Sequence, residues 1–226
     1  LPSVELERPP AAAGALVPVI KKAGLDPVVK DFTLYLFNNI NYTILQKLEK
    51  YWRGKSDVLD EEARNALNKH LDIFIADILS NTPTWIGISV FSRFSVVAAD
   101  EFLQALKYRS NYSGEIVVGG SGISSELNRA NKNEIGVKQS FADHALEQKL
   151  CTYFIQGDSE ESLYALLTGD TIYPGINGVT PPQQILQLDD LPINDYSLTP
   201  PTDYYPSHMP GVYITASRGC VRRCSF

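Results

Sequence analysis

The sequence predicts an α/β protein with a doubly wound parallel sheet, followed by a proline-rich arm and the start of a second domain. Over residues 1–170, short apolar runs alternate with longer segments of helical spacing, which is the pattern of strands and helices in a parallel sheet. From residue 171 to 211 prolines are frequent and helical periodicity is lost, as in a linker or an arm wrapped on a surface. Residues 212–226 begin with a further strand, near Val212.

Composition narrows the functional classes. The chain has 226 residues, a formal net charge of −6 and three cysteines, so it is long enough for its own core but unsuited to binding nucleic acid through a basic surface. It contains no apolar run long enough for a membrane span and no visible signal peptide. The few cysteines fit a reducing, cytoplasmic compartment. Because the chain starts at Leu1 and ends inside a motif, we expect a piece of a longer protein.

Helical spacing or composition predicts the helices of the first domain. They cover residues 11–23, 35–51, 61–80, 95–108, 142–150 and 160–167. Gly24 is the expected C-cap of the first helix, and Pro18 inside it predicts a kink or a restart. Ser159 is the expected cap of the last helix, where Glu160 and Glu161 suit the positive end of the helix dipole.

Four apolar, β-branched runs predict the strands. They cover residues 26–32, 85–91, 115–118 and 152–155, and the continuous run 85–91 predicts a central parallel strand. In an open α/β sheet, ligands bind beyond the carboxyl ends of the strands. Ser89 and the pair Gly119 and Gly120 lie at such ends, where a hydroxyl can donate a hydrogen bond and a glycine lets a ligand approach the backbone.

The last ten residues carry a cysteine motif. Cys220 and Cys224 are separated by three residues, and Phe226 lies two residues after Cys224. Read from Ser217 onward, this resembles the cluster loop of the radical S-adenosylmethionine (SAM) enzymes, C-x3-C-x-aromatic-C, whose third cysteine would follow Phe226. The resemblance implies that Cys220 and Cys224 bind a [4Fe–4S] cluster whose open iron chelates SAM. A zinc half-site and a chance spacing remain alternatives.

The preceding residues resemble the cobalamin-binding domain of one large class of radical SAM enzymes, a Rossmann-like or flavodoxin-like domain. The resemblance implies cofactor contacts at Ser89 and Phe91 in an S-x-L element, at Gly119 and Gly120, and at Gly157 and Glu160 in a G-E-x-E turn. Residues 189–196 resemble the acidic-Leu-Pro…Asp-Tyr bridge into the barrel. Without the resemblance, Ser89 is a strand serine and the glycines form a tight turn.

One element departs from that family. Cobalamin domains that ligate cobalt from below carry D-x-H-x-x-G after their second strand, whereas this chain has Asp31, then Thr33 in the histidine position and Leu36 in the glycine position. Because a hydroxyl is a poor cobalt ligand, cobalamin would bind here without a protein histidine below the metal. The same departure fits a domain that has lost cobalamin.

These resemblances imply the N-terminal part of a radical SAM enzyme. It would generate a 5′-deoxyadenosyl radical for methyl transfer to, or rearrangement of, an unactivated carbon in a small-molecule or peptide substrate, with flavodoxin or ferredoxin as reductant. This part alone would be inactive. Two alternatives stay open: a radical SAM enzyme whose α/β domain is a scaffold, and a flavodoxin-like binding or sensor module. Cys151, at the start of a strand, is expected to be a buried structural thiol.

Overall fold

The computed structural model describes residues 6, 8–125, 139–178, 188–205 and 210–214. In these ranges the helices are α1 (Ala11–Lys22), α2 (Phe32–Asn39), α3 (Tyr42–Trp52), α4 (Glu61–Leu79), α5 (Val96–Arg109), α6 (Phe141–Glu147) and α7 (Ser159–Leu167). The strands are β1 (Trp85–Ser89), β2 (Glu115–Gly119) and β3 (Tyr153–Ile155). Short 3-10 turns cover Arg93–Ser95, Ser121–Ser124, Leu188–Asp190 and Pro201–Asp203. None of the helices in these ranges is both long and apolar enough to cross a bilayer.

The three strands form one parallel sheet in the order β1-β2-β3. This confirms a mixed α/β protein with a parallel sheet. Among the described strands, however, the run predicted as a central strand, residues 85–91, forms β1 at one side, and β2 lies in the centre. A continuous apolar run predicts that a strand is buried on both faces, but it does not predict whether the strand has a neighbour on one side or on both.

Helices cover both faces of the sheet, and alternate strand residues face opposite layers. On one face, Val118 and Phe154 join a buried cluster with α5 and α6. On the other, Val117 and Ile155 join a cluster with α1 and α7. Buried clusters therefore lie on both faces of the three-stranded sheet.

A third cluster joins α2, α3 and α4 to the outer side of α5. It contains Phe32, Phe74 and Phe102, with 4.8 Å between the ring centroids of the first two. At its margin the buried carboxylate of Glu101 accepts hydrogen bonds from Arg64 Nη1 at 2.7 Å and Trp52 Nε1 at 3.2 Å. Burial of this charge is tolerable because it is paired and hydrogen-bonded.

The predicted strand at residues 26–32 is wrong. Residues 25–31 form no strand, and Val28 is 59% exposed. The carboxylate of Asp31 accepts hydrogen bonds from the amides of Thr33 and Leu34 at 2.9 and 3.2 Å, and α2 begins at Phe32. An N-cap outweighs the β-propensity of two valines that have no strand beside them among the described residues.

Three boundaries also differ from prediction. The expected helix 35–51 is two helices, because the chain leaves α2 at Ile40 and Asn41 caps α3 by accepting from the amide of Thr43 at 2.8 Å. Ser159 is the first residue of α7 and not its cap, which is Asp158. The C-cap of α1 is Ala23 and not Gly24, which follows it with a positive φ of 82°, and α1 continues through Pro18.

The described part of the proline-rich arm lies on the N-terminal helices. Tyr204 is 6% exposed, and its hydroxyl donates to the carboxylate of Asp31 at 3.0 Å. The neighbouring Tyr205 hydroxyl donates to Asn38 at 2.6 Å. The described residues of the arm are therefore attached to the N-terminal helices, which favours the second of the two alternatives, a linker or a surface arm.

Candidate functional site

The carboxyl ends of the three strands align at one edge of the sheet. Ser89 pairs with Gly119 across β1 and β2, and Gly119 pairs with Ile155 across β2 and β3. The exposed Gly157 follows β3 two residues later, with φ at 88°. The structure thus brings together the residues that the sequence singled out in three separate segments.

One face of β1 is open at this edge. Trp85, Gly87 and Ser89 point to the same face because strand residues alternate. Trp85 stacks on Tyr153 with ring centroids 5.8 Å apart, whereas Gly87 and Ser89 are exposed. We call the surface formed by Gly87, Ser89 and Gly119 the open strip.

The two adjacent glycines differ in their surroundings. A Cβ on Gly119 would meet only the carbonyl oxygen of Ile155, at an ordinary 3.7 Å. Gly120 has φ at 102° and ψ at 164°, and a Cβ there would lie 2.6 Å from the carbonyl oxygen of Val90. Gly120 is therefore required by the fold, whereas the missing side chain at Gly119 leaves space above the strip.

The loop after β1 adds an exposed aromatic ring. Phe91 is 75% exposed. Its carbonyl accepts a hydrogen bond from the Ser121 hydroxyl, and the amide of Gly122 donates to Val90 at 2.8 Å. These bonds tie the loops after β1 and β2 together and hold Phe91 at the edge of the sheet.

Glu160 lies in the first turn of α7 and is 6% exposed. A buried carboxylate at the amino end of a helix interacts favourably with the helix dipole. Its burial favours a role in stabilising the turn that presents Gly157, while Gly157 itself is accessible.

The segment from Asp31 to Leu36 starts near the amino end of the sheet and then packs along α4, where the Tyr35 hydroxyl lies 3.1 Å from His70 Nδ1. Lys30 pairs with Asp77 near the end of α4 at 2.7 Å, and Arg109 at the end of α5 lies 3.3 Å from Asp72. Because α5 runs from the carboxyl end of β1 back to the start of β2, these pairs mark the amino end. Thr33 and Leu36 are helical, and Leu36 is fully buried.

The predicted cluster ligands, Cys220 and Cys224, lie outside the described residues. Cys151 is described, and it is buried as predicted at 7% exposure. Burial raises the pKa of its thiol to about 12, which keeps it protonated and unreactive. Among the described residues, no group of three or more histidine, cysteine or acidic side chains is placed to hold a metal ion.

Gly87 is the site residue that sequence reasoning missed. It lies two positions before Ser89 in the same strand, and strand periodicity places such residues on one face. That spacing was available in the sequence, but the exposure of this face was not, since it depends on which strands α1 and α7 cover.

Comparisons with known proteins return no match to a family model, to a curated protein or to a solved structure. The class of protein is therefore defined by the described fold alone, which is a mixed α/β fold with a three-stranded parallel sheet.

Proposed function

We propose that this chain is the N-terminal part of a radical SAM enzyme and that its α/β domain binds the nucleotide tail of cobalamin on the open strip. The observation that carries the proposal is the direct pairing of Ser89 with Gly119 at the carboxyl ends of parallel strands. Ligands of open α/β sheets bind at this edge.

The donor set and the shape of the strip suit such a ligand. The exposed Ser89 side chain offers a hydroxyl, and Gly87 and Gly119 have no Cβ, so a flat group can approach the strand backbone. Thr33 and Leu36 lie in helix α2, where neither side chain is a cobalt ligand, which supports cobalamin without a protein histidine below cobalt. In methyltransferase members of the family, bound cobalamin supplies the transferred methyl group.

The test of the corrin site is a titration of the purified chain with hydroxocobalamin, followed by equilibrium dialysis. Ser89→Ala is expected to weaken binding about fivefold because one hydrogen bond is lost. Gly119→Ala is expected to weaken it about tenfold, since a methyl group fills the ligand's space. The matched control is Ser113→Ala, an exposed serine before β2 at the amino end. If wild-type protein retains no corrin, or all three variants bind equally, the cobalamin part of the proposal fails.

The second part of the proposal concerns Cys220 and Cys224. They would bind a [4Fe–4S] cluster together with a third cysteine of the longer protein, and when bound the cluster and SAM supply a 5′-deoxyadenosyl radical in this family. Anaerobic reconstitution of the longer protein with iron and sulfide is expected to give cluster charge-transfer absorption. Cys220→Ala and Cys224→Ala should abolish it, and Cys151→Ala, at the buried thiol, should retain it. Absorption that survives both changes would contradict the assignment.

A second candidate function is a radical SAM enzyme whose α/β domain is a scaffold. The contacts of Asp31 favour this second candidate. Its side chain caps α2 and accepts a hydrogen bond from Tyr204, so the segment is the start of a helix and not a loop that could lie beneath a corrin. Cluster absorption in protein that binds no hydroxocobalamin would select this candidate.

A further inference from the structure

Two residues of the arm connect α1 to the last described segment of the chain. We propose that Asp195 and Tyr196 form a joint that holds residues 211–214 against α1 and so sets the position from which the chain continues toward Cys220. The joint stands on contacts among described residues; only its consequence for a cluster loop depends on the proposed function.

Asp195 attaches the arm to α1 through both backbone and side chain. Its amide donates to the carbonyl of Gly14 at 2.8 Å, and its carboxylate accepts from Lys21 Nζ at 2.7 Å. Gly14 and Lys21 lie in different turns of the same helix. Two attachments on separate turns restrict both the position and the direction of the arm.

Tyr196 continues the connection to residues 211–214. Its hydroxyl donates to the carbonyl of Tyr213 at 2.7 Å, and Asn194 Nδ2 donates to the same oxygen at 3.3 Å. The guanidinium of Arg8 lies 5.5 Å from the centroid of the Tyr213 ring. The backbone at Tyr213 is thus held from the arm and its ring from the segment before α1.

Gly14 shows that α1 accommodates this contact. It lies inside a helix, where alanine has the higher helix propensity. A Cβ at this position would clash with Cζ of the Tyr196 ring. A side chain at position 14 would therefore push the tyrosine ring away from α1 and pull its hydroxyl from Tyr213.

The first test is the direction of the stability change in Gly14→Ala. In a free helix surface the substitution raises the thermal midpoint, because alanine has the higher helix propensity. If Tyr196 occupies the space above Gly14, the midpoint should fall. In the Tyr196→Ala background, by contrast, Gly14→Ala should raise the thermal midpoint, because the ring that it would clash with is gone. A rise in the midpoint of Gly14→Ala would overturn the joint.

The second test follows cleavage of the peptide bond after Tyr213 by chymotrypsin, with fragments identified by mass spectrometry. Tyr196→Phe keeps the ring and removes the hydroxyl, and cleavage should accelerate about fivefold because one hydrogen bond is lost. Gly14→Ala should accelerate it at least as much. The matched control is Tyr205→Phe in the same arm, which removes a hydroxyl that donates to Asn38 of α2. This change should leave the cleavage rate after Tyr213 within twofold of the wild-type rate. Equal rates in Tyr196→Phe and wild type would overturn the proposal. Neither test requires iron or corrin, so the joint and the proposed function can fail separately.

Discussion

At the scale of the residue, Gly119 and Gly120 show that identical neighbours can serve different purposes. Gly120 adopts φ 102° and ψ 164°, a region that essentially only glycine occupies. Gly119 has ordinary strand geometry and an open approach. The pair is thus divided into one glycine that the turn needs and one that a ligand can use.

Alanine substitutions should separate these two purposes. Gly120→Ala is expected to lower the free energy of unfolding by about 2 kcal/mol or more, because the backbone is strained and the Cβ approaches Val90. Gly119→Ala should change it by less than about 0.5 kcal/mol. Urea unfolding of both variants measures the difference. A Gly119→Ala variant as unstable as Gly120→Ala would show that the space at Gly119 is filled in solution.

At the scale of the element, Asp31 decides where α2 begins. Its Oδ1 accepts from the amides of Thr33 and Leu34, and its Oδ2 accepts from the Tyr204 hydroxyl at 3.0 Å. The aspartate that opens the altered D-x-H-x-x-G element thus has a structural use, and it joins a helix start to the arm.

Removing this cap should destabilise the protein. Asp31→Ala is expected to cost about 1–2 kcal/mol, because two helix amides and one partly buried hydroxyl lose their acceptor. Asp31→Asn keeps the capping oxygen and should cost distinctly less, since asparagine caps helices as well as aspartate does. Thermal unfolding followed by circular dichroism compares the two. Equal costs for alanine and asparagine would mean that the charge at position 31, and not the cap, stabilises this region.

At the scale of the whole molecule, the described residues of the arm are bonded to residues 6–38, which are far away in the sequence. Asp195 pairs with Lys21, and the Tyr205 amide donates to the carbonyl of Leu6 at 2.7 Å. The Lys21 ammonium, followed by bonds from Ser197, holds the pKa of the Asp195 carboxyl below its ordinary value of 3.8. A carboxyl with a lowered pKa stabilises the folded state above its ordinary pKa, and the contribution is lost as the pH falls through the folded value.

The stabilising contribution of this carboxylate should therefore be lost progressively in acid. Between about pH 5 and pH 2 the thermal midpoint of the wild type is expected to fall more steeply than that of Asp195→Asn, because the variant has already lost the titrating group. Asp190→Asn, an exposed aspartate of the same arm, is the control and should follow the wild type. Parallel curves for wild type and Asp195→Asn would show that the Lys21 pair does not couple the arm to folding.

Much of this architecture could be predicted from local pattern. The apolar runs at 85–91, 115–118 and 152–155 mark the three strands, and helical spacing marks α4 and α5, because alternating burial imposes its period on the sequence. The same logic placed Ser89 and Gly119 at the carboxyl ends of strands. It failed at 26–32, where Val28 and Val29 suggested a strand and the Asp31 cap prevailed.

The sequence alone determined the three described strands, most of the described helices and the residues at the strand ends, since each depends on neighbours a few positions away. Only the tertiary structure decided that Ser89 pairs with Gly119, that β1 lies beside β2 rather than in the centre, and that Gly87 is exposed. It also decided that Tyr196 lies over Gly14. These features join residues far apart in the chain, and their energies come from packing and hydrogen bonds that no local pattern records.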